Sequence, residues 1–283
     1  MKNGRLILLT LLALLAFAGN SILCRFALKE TAIDPATFTL VRIISGAVLL
    51  WIVTTARKTN GSNQGGWFSA TALFLYAAGF SFAYTQLSAG TGALLLFGAV
   101  QATMIIWGFF RGERLHVGGA IGLAFALCGL VGLTWPGVST PPLLASCSML
   151  AAGIAWGVYS LRGRSIANPL QATAANFLRA APLAILLSGL LWNRMNLDRA
   201  GVVAAIVSGA ITSGLGYVIW YAVVPELGAI RASIVQLCVP VLAAGAGIAF
   251  LNETLSTRVT LAAAAILGGV ALALVKKSAT SQA

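Results

Sequence analysis

Acidic side chains are scarce in this chain, with six Asp and Glu in 283 residues beside 18 Lys and Arg and one His. Charged residues make up 8% of the total and hydrophobic residues 59%. A water-soluble domain of this length needs a charged surface to stay dispersed, so the composition excludes one. All six acids (Glu30, Asp34, Glu113, Asp198, Glu226 and Glu253) and the single His116 fall at span ends or connections. An Asp/Glu/His proton relay at mid-membrane is therefore missing, as is a carboxylate site for a cationic substrate. Cys24, Cys128, Cys147 and Cys238 lie scattered in apolar stretches without a CxxC or a His partner. That spacing predicts core thiols, and neither a disulfide nor a metal site. HExxH, a Walker A loop and a paired intramembrane aspartate are also missing. Ile211-Thr212-Ser213-Gly214 resembles part of an intramembrane serine protease site, but Ile211 stands where glycine is needed and no span holds a histidine. No enzyme chemistry and no cofactor are expected.

Long apolar runs are what the chain does have. They fall at roughly 6–28, 35–56, 67–88, 91–110, 115–135, 142–161, 169–192, 200–223, 229–250 and 257–275. Each is close to the ~20 helical residues that cross a ~30 Å hydrocarbon core. Residues 1–18 mimic a secretory signal, with Lys2, Arg5 and a cleavage-like Ala16-Phe17-Ala18, but the apolar run continues to Leu28. It reads as a retained first span. With the N-terminus cytoplasmic, eleven cations (Lys2, Arg5, Arg57, Lys58, Arg111, Arg114, Arg162, Arg164, Arg231, Lys276, Lys277) lie inside and five (Arg25, Lys29, Arg194, Arg199, Arg258) outside. This asymmetry places both termini in the cytoplasm of a multi-pass inner (plasma) membrane protein. The net charge of +12 thus reports topology, and a nucleic-acid partner is not expected.

The chain also repeats itself. Arg42, in Thr39-Leu40-Val41-Arg42, recurs as Arg179 in Asn176-Phe177-Leu178-Arg179, and Phe80/Tyr84 recur as Tyr217/Tyr221, all displaced by 137. Glu113-Arg114-Leu115 recurs as Glu253-Thr254-Leu255 and Gly129 as Gly269, displaced by 140. Five spans per copy is an odd number, so the second copy enters the membrane inverted, as in many secondary transporters. The expected fold is all-α and integral to the membrane, with ten transmembrane helices in two inverted five-helix repeats around a central cavity. The repeats are 1–137 and 138–277, followed by a cytoplasmic tail at 278–283.

Several residues stand out against this frame. Arg42 and Arg179 are costly inside spans, about 2.5–3.5 kcal/mol each on insertion scales. They are read as structural charges at opposite depths, with anion binding as the alternative. Glu113 and Glu253 close repeat-equivalent spans and are read as caps for the helices that follow them. Pro240 should bend the ninth span and is the gating candidate. Gly118/Gly122, Gly153/Gly157 and Gly268-Gly269 read as helix-packing faces, with a dimer contact along the fifth or tenth span as the alternative to a monomer. What remains at midplane is aromatic and amide. Phe80 with Tyr84, extended by Tyr76, and Tyr217 with Tyr221 form i,i+4 stripes. Asn20, Gln101, Asn176 and Gln236 add uncharged hydrogen-bonding groups, and Trp107, Trp156, Tyr159 and Trp220 add flat surfaces. Such a lining suits an uncharged or zwitterionic small molecule with an apolar body.

Taken together these marks resemble the drug/metabolite transporter superfamily in its EamA-type, ten-span branch. The resemblance covers nearly the whole chain. It rests on Arg42 and Arg179, on Gly112-Glu113-Arg114-Leu115 and Asn252-Glu253-Thr254-Leu255, and on the glycine-rich fifth and tenth spans. The sequence is also similar to the YddG-type aromatic amino-acid exporters of bacterial inner membranes. The resemblance implies a basket of spans one, three, four, six, eight and nine around the cavity, with five and ten outside. It implies alternating-access export of aromatic amino acids or similar amphipathic metabolites. The substrate-binding candidates on those spans are Asn20, Phe80, Tyr84, Gln101, Trp156, Tyr217, Tyr221 and Gln236. The alternatives are a carrier of phosphorylated or nucleotide-linked metabolites and a membrane assembly protein without a solute path.

Overall fold

The computed structural model describes residues 3–57, 65–110, 117–135, 141–163 and 166–274. Every regular element among them is helical: α1 (Asn3–Glu30), α2 (Pro35–Ala56), α3 (Trp67–Tyr84), α4 (Ala89–Phe110), α5 (Val117–Thr134), α6 (Leu143–Gly163), α7 (Pro169–Leu190), a short 3-10 helix (Trp192–Arg194), α8 (Arg199–Val207), a π-helical segment (Ser208–Leu215), α9 (Gly216–Gln236), α10 (Cys238–Leu251) and α11 (Thr257–Leu274). Seven helical stretches among the described residues have the length and apolarity to cross a membrane, and the shorter Ala120–Leu133, Cys238–Leu251 and Thr257–Gly269 are apolar too.

Polar residues at the span ends start the helices. Asp34 accepts from the Ala36 and Thr37 N–H groups at 3.0 Å each, with Pro35 opening α2. Asn168 and Pro169 repeat the device at α7, and Asp198 caps α8 through Gly201 N–H at 2.8 Å. Each cap satisfies a backbone donor that the first helical turn leaves without a partner, and proline loses nothing there.

The packing treats the two halves alike. α5 lies on α11, α2 on α7 and α4 on α10. α3 against α6 is answered by α9 against α1, and α4 against α6 by α10 against α1. α3 against α7 is answered by α8 and the π segment against α2. Small residues permit the tightest approach. A Cβ on Gly46 would fall 2.9 Å from Gly209 O, and one on Gly209 would collide with Arg42 O. In lipid, where apolar burial between helices gains little, such backbone contact is a main source of adhesion.

Two expectations need correction. The connection expected at 224–228 is helical, because α9 runs through Pro225 to Gln236 without a break. The interruption comes instead at Leu237, between α9 and α10. Pro240, third in α10, has no N–H to return to Gln236 O, so the helix divides just before it. The thiols are not all core groups: Cys24 is buried, but Cys128, Cys147 and Cys238 are exposed. Among apolar helices in lipid an outward thiol is simply another small apolar group.

Candidate functional site

The centre of the molecule is an aromatic cluster drawn from both halves. Phe17 of α1 meets the rings of Trp156 at 5.7 Å, Trp220 at 5.4 Å and Tyr217 at 6.1 Å. Trp156 of α6 lies 4.5 Å from Tyr217 and 5.0 Å from Tyr76, while Phe80 and Tyr84 meet edge to face at 4.6 Å. Tyr221 stacks on Tyr159 at 5.4 Å and donates its hydroxyl to Tyr159 O at 3.0 Å. Offset and edge contacts of this kind are the favoured arrangements of aromatic rings. The rings fill one another's space. A groove of about 630 Å³ lies elsewhere, on the α1–α8 flank, lined by Leu23, Phe26, Asp198, Val203 and their neighbours.

Against this cluster sits a buried polar network centred on Arg42, which is 1% exposed. Its Nε donates to Ser213 Oγ at 3.1 Å, and its Nη2 donates to both Tyr76 OH and Tyr217 OH at 2.9 Å. Its guanidinium carbon stands 5.1 Å from the ring centres of Tyr76 and Phe80, a cation–π position. Tyr217 OH donates to Tyr76 OH at 3.0 Å. Asn20 completes the set: its Nδ2 donates to Tyr76 OH at 3.0 Å, and its Oδ1 accepts from Ser208 Oγ at 2.7 Å and Thr212 Oγ1 at 3.3 Å. The π segment brings Ser208, Thr212 and Ser213 to one side of α1 and α2. Wide helical turns of this type often mark functional sites.

Of the predicted binding residues, Asn20, Phe80, Tyr84, Gln101, Trp156, Tyr217, Tyr221 and Gln236 are all buried. Asn20, Phe80, Trp156 and Tyr217 converge on Arg42 and Tyr76. Tyr84 turns its hydroxyl to Ala89 O at 3.3 Å. Gln101 and Gln236 share no hydrogen bond with Asn20 or Arg42. Trp156 and Trp220 belong to the cluster, whereas Trp107 is 47% exposed. Arg179 is half-buried and donates to Ala175 O of its own helix at 3.2 Å. Arg42 bonds to Ser213, Tyr76 and Tyr217, none of them on the helix of Arg179.

Glu253 does not cap the helix that follows it. Its Oε2 accepts Ala89 N–H at the start of α4 at 2.8 Å, and its Oε1 pairs with Arg25 Nε at 3.0 Å. Ser256 takes the capping role for α11 through Val259 N–H. Arg25, counted among the outside cations, lies within α1 at 8% exposure and also donates Nη1 to Tyr84 O at 2.8 Å and Thr85 O at 3.3 Å. Its long helix carries it inward, where two carbonyls and a carboxylate balance the charge. Glu113 lies outside the described residues. Ser208, Thr212, Ser213, Phe17 and Arg25 were not among the predicted site residues, and Tyr76 was read only as an extension of the Phe80/Tyr84 stripe. One signal could have found part of them: Ser213 is displaced from Tyr76 by the same 137 residues.

The EamA-like transporter family matches this chain twice, at residues 4–135 and 143–275. An uncharacterised protein of Pseudomonas aeruginosa is 52% identical over 275 residues, covering 97% of this chain and 96% of its own. An uncharacterised transporter of Archaeoglobus fulgidus is 24% identical over 272 residues, covering 89% and 91%. A solved crystal structure with 20% sequence identity superposes over 96% of this chain and 98% of its own with a TM-score of 0.69, which speaks to the fold alone. With the apolar helices and these relatives, the protein is a multi-pass membrane transporter, and the chain belongs to the EamA-like transporter family.

Proposed function

We propose that this transporter exports aromatic amino acids, or similar amphipathic metabolites, across a bacterial inner membrane by alternating access. The observation that carries the reading is the aromatic cluster with its Asn20–Arg42–Tyr76–Tyr217 network, built from both halves where α1, α2, α3, α6 and α9 converge. Aromatic faces accept a flat apolar body, and a few fixed polar groups orient it. The halves, 1–137 and 138–277, act as inverted five-span repeats that rock about this cluster. The half-for-half correspondence in packing supports that motion. Both termini are cytoplasmic on the distribution of basic residues, which puts Arg25 and Glu253 on the outer side. Their pairing, with Tyr84 O, Thr85 O and Ala89 N–H, ties the outer ends of α1, α3, α4 and α10 together. Pro240, beside the break at Leu237, supplies a hinge in the second half. The acids stay out of mid-membrane, which favours facilitated or exchange transport over obligatory proton coupling.

The test is uptake and counterflow of radiolabelled phenylalanine, tryptophan, threonine and a sugar phosphate in liposomes holding the purified protein. Saturable movement of the two aromatic amino acids without a pH gradient is the expected result. Movement of the sugar phosphate alone would replace this reading with that of a phosphorylated-metabolite carrier.

A further inference from the structure

The Arg42 network holds more donors than acceptors. A guanidinium carries five N–H groups. Nε uses one on Ser213 and Nη2 uses two on the tyrosines, while Nη1, fully buried, has no hydrogen-bond partner. Tyr76 OH already receives Asn20 Nδ2, Arg42 Nη2 and the Tyr217 hydroxyl. Two phenols that bond to each other spend one proton on the pair, so the other phenol proton has no acceptor inside the set. Asn20 Oδ1 is likewise committed, to Ser208 and Thr212. Among the described residues, no carboxylate lies within ion-pair distance of Arg42. Two Nη1 protons, one phenol proton and one positive charge are thus left over in a buried site beside aromatic rings. Buried charges and donors without partners are costly, and a membrane protein retains them where they serve function.

We infer that Arg42 Nη1, with the Tyr76–Tyr217 hydroxyl pair, receives a single carboxylate of the transported molecule while Phe80 and Trp156 take its apolar body. The inference rests on the transport reading above and adds the group that selects the substrate. The planar fork of the guanidinium matches the two oxygens of a carboxylate. One cation neutralises a monoanion, whereas a phosphate ester would leave negative charge in the site and an amine alone would add to the positive charge. Monocarboxylates with an apolar body are therefore favoured over both. Seating one requires the rings to part, since the network is closed in this state.

The experiment is competition against phenylalanine counterflow by 3-phenylpropionate, phenethylamine and phenyl phosphate, in wild type, Arg42→Gln and Arg42→Lys. Thermal unfolding of the same proteins in detergent is followed with each compound, which requires no transport. Wild type should be inhibited by 3-phenylpropionate at least tenfold more strongly than by phenethylamine or phenyl phosphate, on the order expected for a charge-assisted contact. Arg42→Gln should lose that preference, and Arg42→Lys should keep part of it. Should both variants fail to fold, the wild-type preference decides. Equal inhibition by phenethylamine, stronger inhibition by phenyl phosphate, or an unchanged preference in Arg42→Gln overturns the inference even if phenylalanine is carried. If phenylalanine is not carried, 3-phenylpropionate stabilising wild type but not Arg42→Gln upholds the carboxylate site while the aromatic amino-acid reading fails. Stabilisation by neither anion, together with no transport, overturns both.

Discussion

Arg42 and Arg179 hold equivalent places in the two halves, as do Arg25 and Arg162, each pair displaced by 137. The members of each pair nonetheless live differently. The first-half residues are buried and bond across the halves, Arg42 to Ser213 and Tyr217 and Arg25 to Glu253. The second-half residues are less buried, Arg179 bonding within its own helix and Arg162, at the end of α6, reaching across to α3 of the first half. Arg179 bonds to Ala175 O, while exposed Arg162 donates to Ser69 at 2.9 Å and stands 4.9 Å over the Phe68 ring. Helix packing respects the duplication, but the polar connections do not. The lesson is that small residues and apolar faces set a scaffold common to both halves, while charged groups distinguish one half from the other.

The comparison breaks most visibly at the Arg25–Glu253 knot. Glu253→Gln should lower unfolding free energy by about 3 kcal/mol, because it strands Arg25 in a buried site. Arg162→Gln should cost under about 1 kcal/mol, as an exposed contact. Thermal or denaturant unfolding in detergent compares the two; equal losses would mean that burial does not separate these arginines. At the centre, Arg42→Gln should raise the KM for phenylalanine about tenfold to a hundredfold, the worth of one charge-assisted hydrogen bond of about 1.5–3 kcal/mol. Arg179→Gln should stay within about threefold, as expected away from buried partners. Similar effects for both would restore the symmetry that the polar network denies.

Much of this organisation was legible in the residues. The duplication, the apolar spans and the aromatic stripes follow from spacing alone, and the caps at Asp34 and Asp198 follow from residue type. The partners of the charges did not. Treating the arginines as symmetric led to local roles for both, yet Arg42 bonds to side chains 171 and 175 residues away. Glu253 looked like a cap for its neighbour, while its partners are 228 and 164 residues distant. Pairing over such separations is decided by which helices touch, and an apolar pattern shared by every span does not specify that. The π-helical turn at Ser208–Leu215 was equally hidden, since Gly, Ser and Thr in a span also suit ordinary packing.

Smaller effects sharpen the account of the scaffold. Gly209→Ala, whose Cβ would meet Arg42 O, should destabilise by about 1–3 kcal/mol through overpacking. Gly268→Ala, with nothing within 4 Å, should be neutral or gain up to about 1 kcal/mol from helix propensity. Unfolding of the two variants side by side checks the contrast. Among the cysteines, a maleimide soluble in detergent should label Cys128, Cys147 and Cys238 well before the buried Cys24; early labelling of Cys24 would show that α1 does not pack as described.

The most direct measurement concerns Phe80, which is 1% exposed in this closed arrangement. In a cysteine-free background, Phe80→Cys would be exposed to a water-soluble maleimide in liposomes, with and without phenylalanine. If the aromatic cluster is the substrate's route, the thiol reacts slowly as the halves rock, and phenylalanine changes the rate. Transport that continues while Phe80→Cys never reacts from either side would contradict a central path.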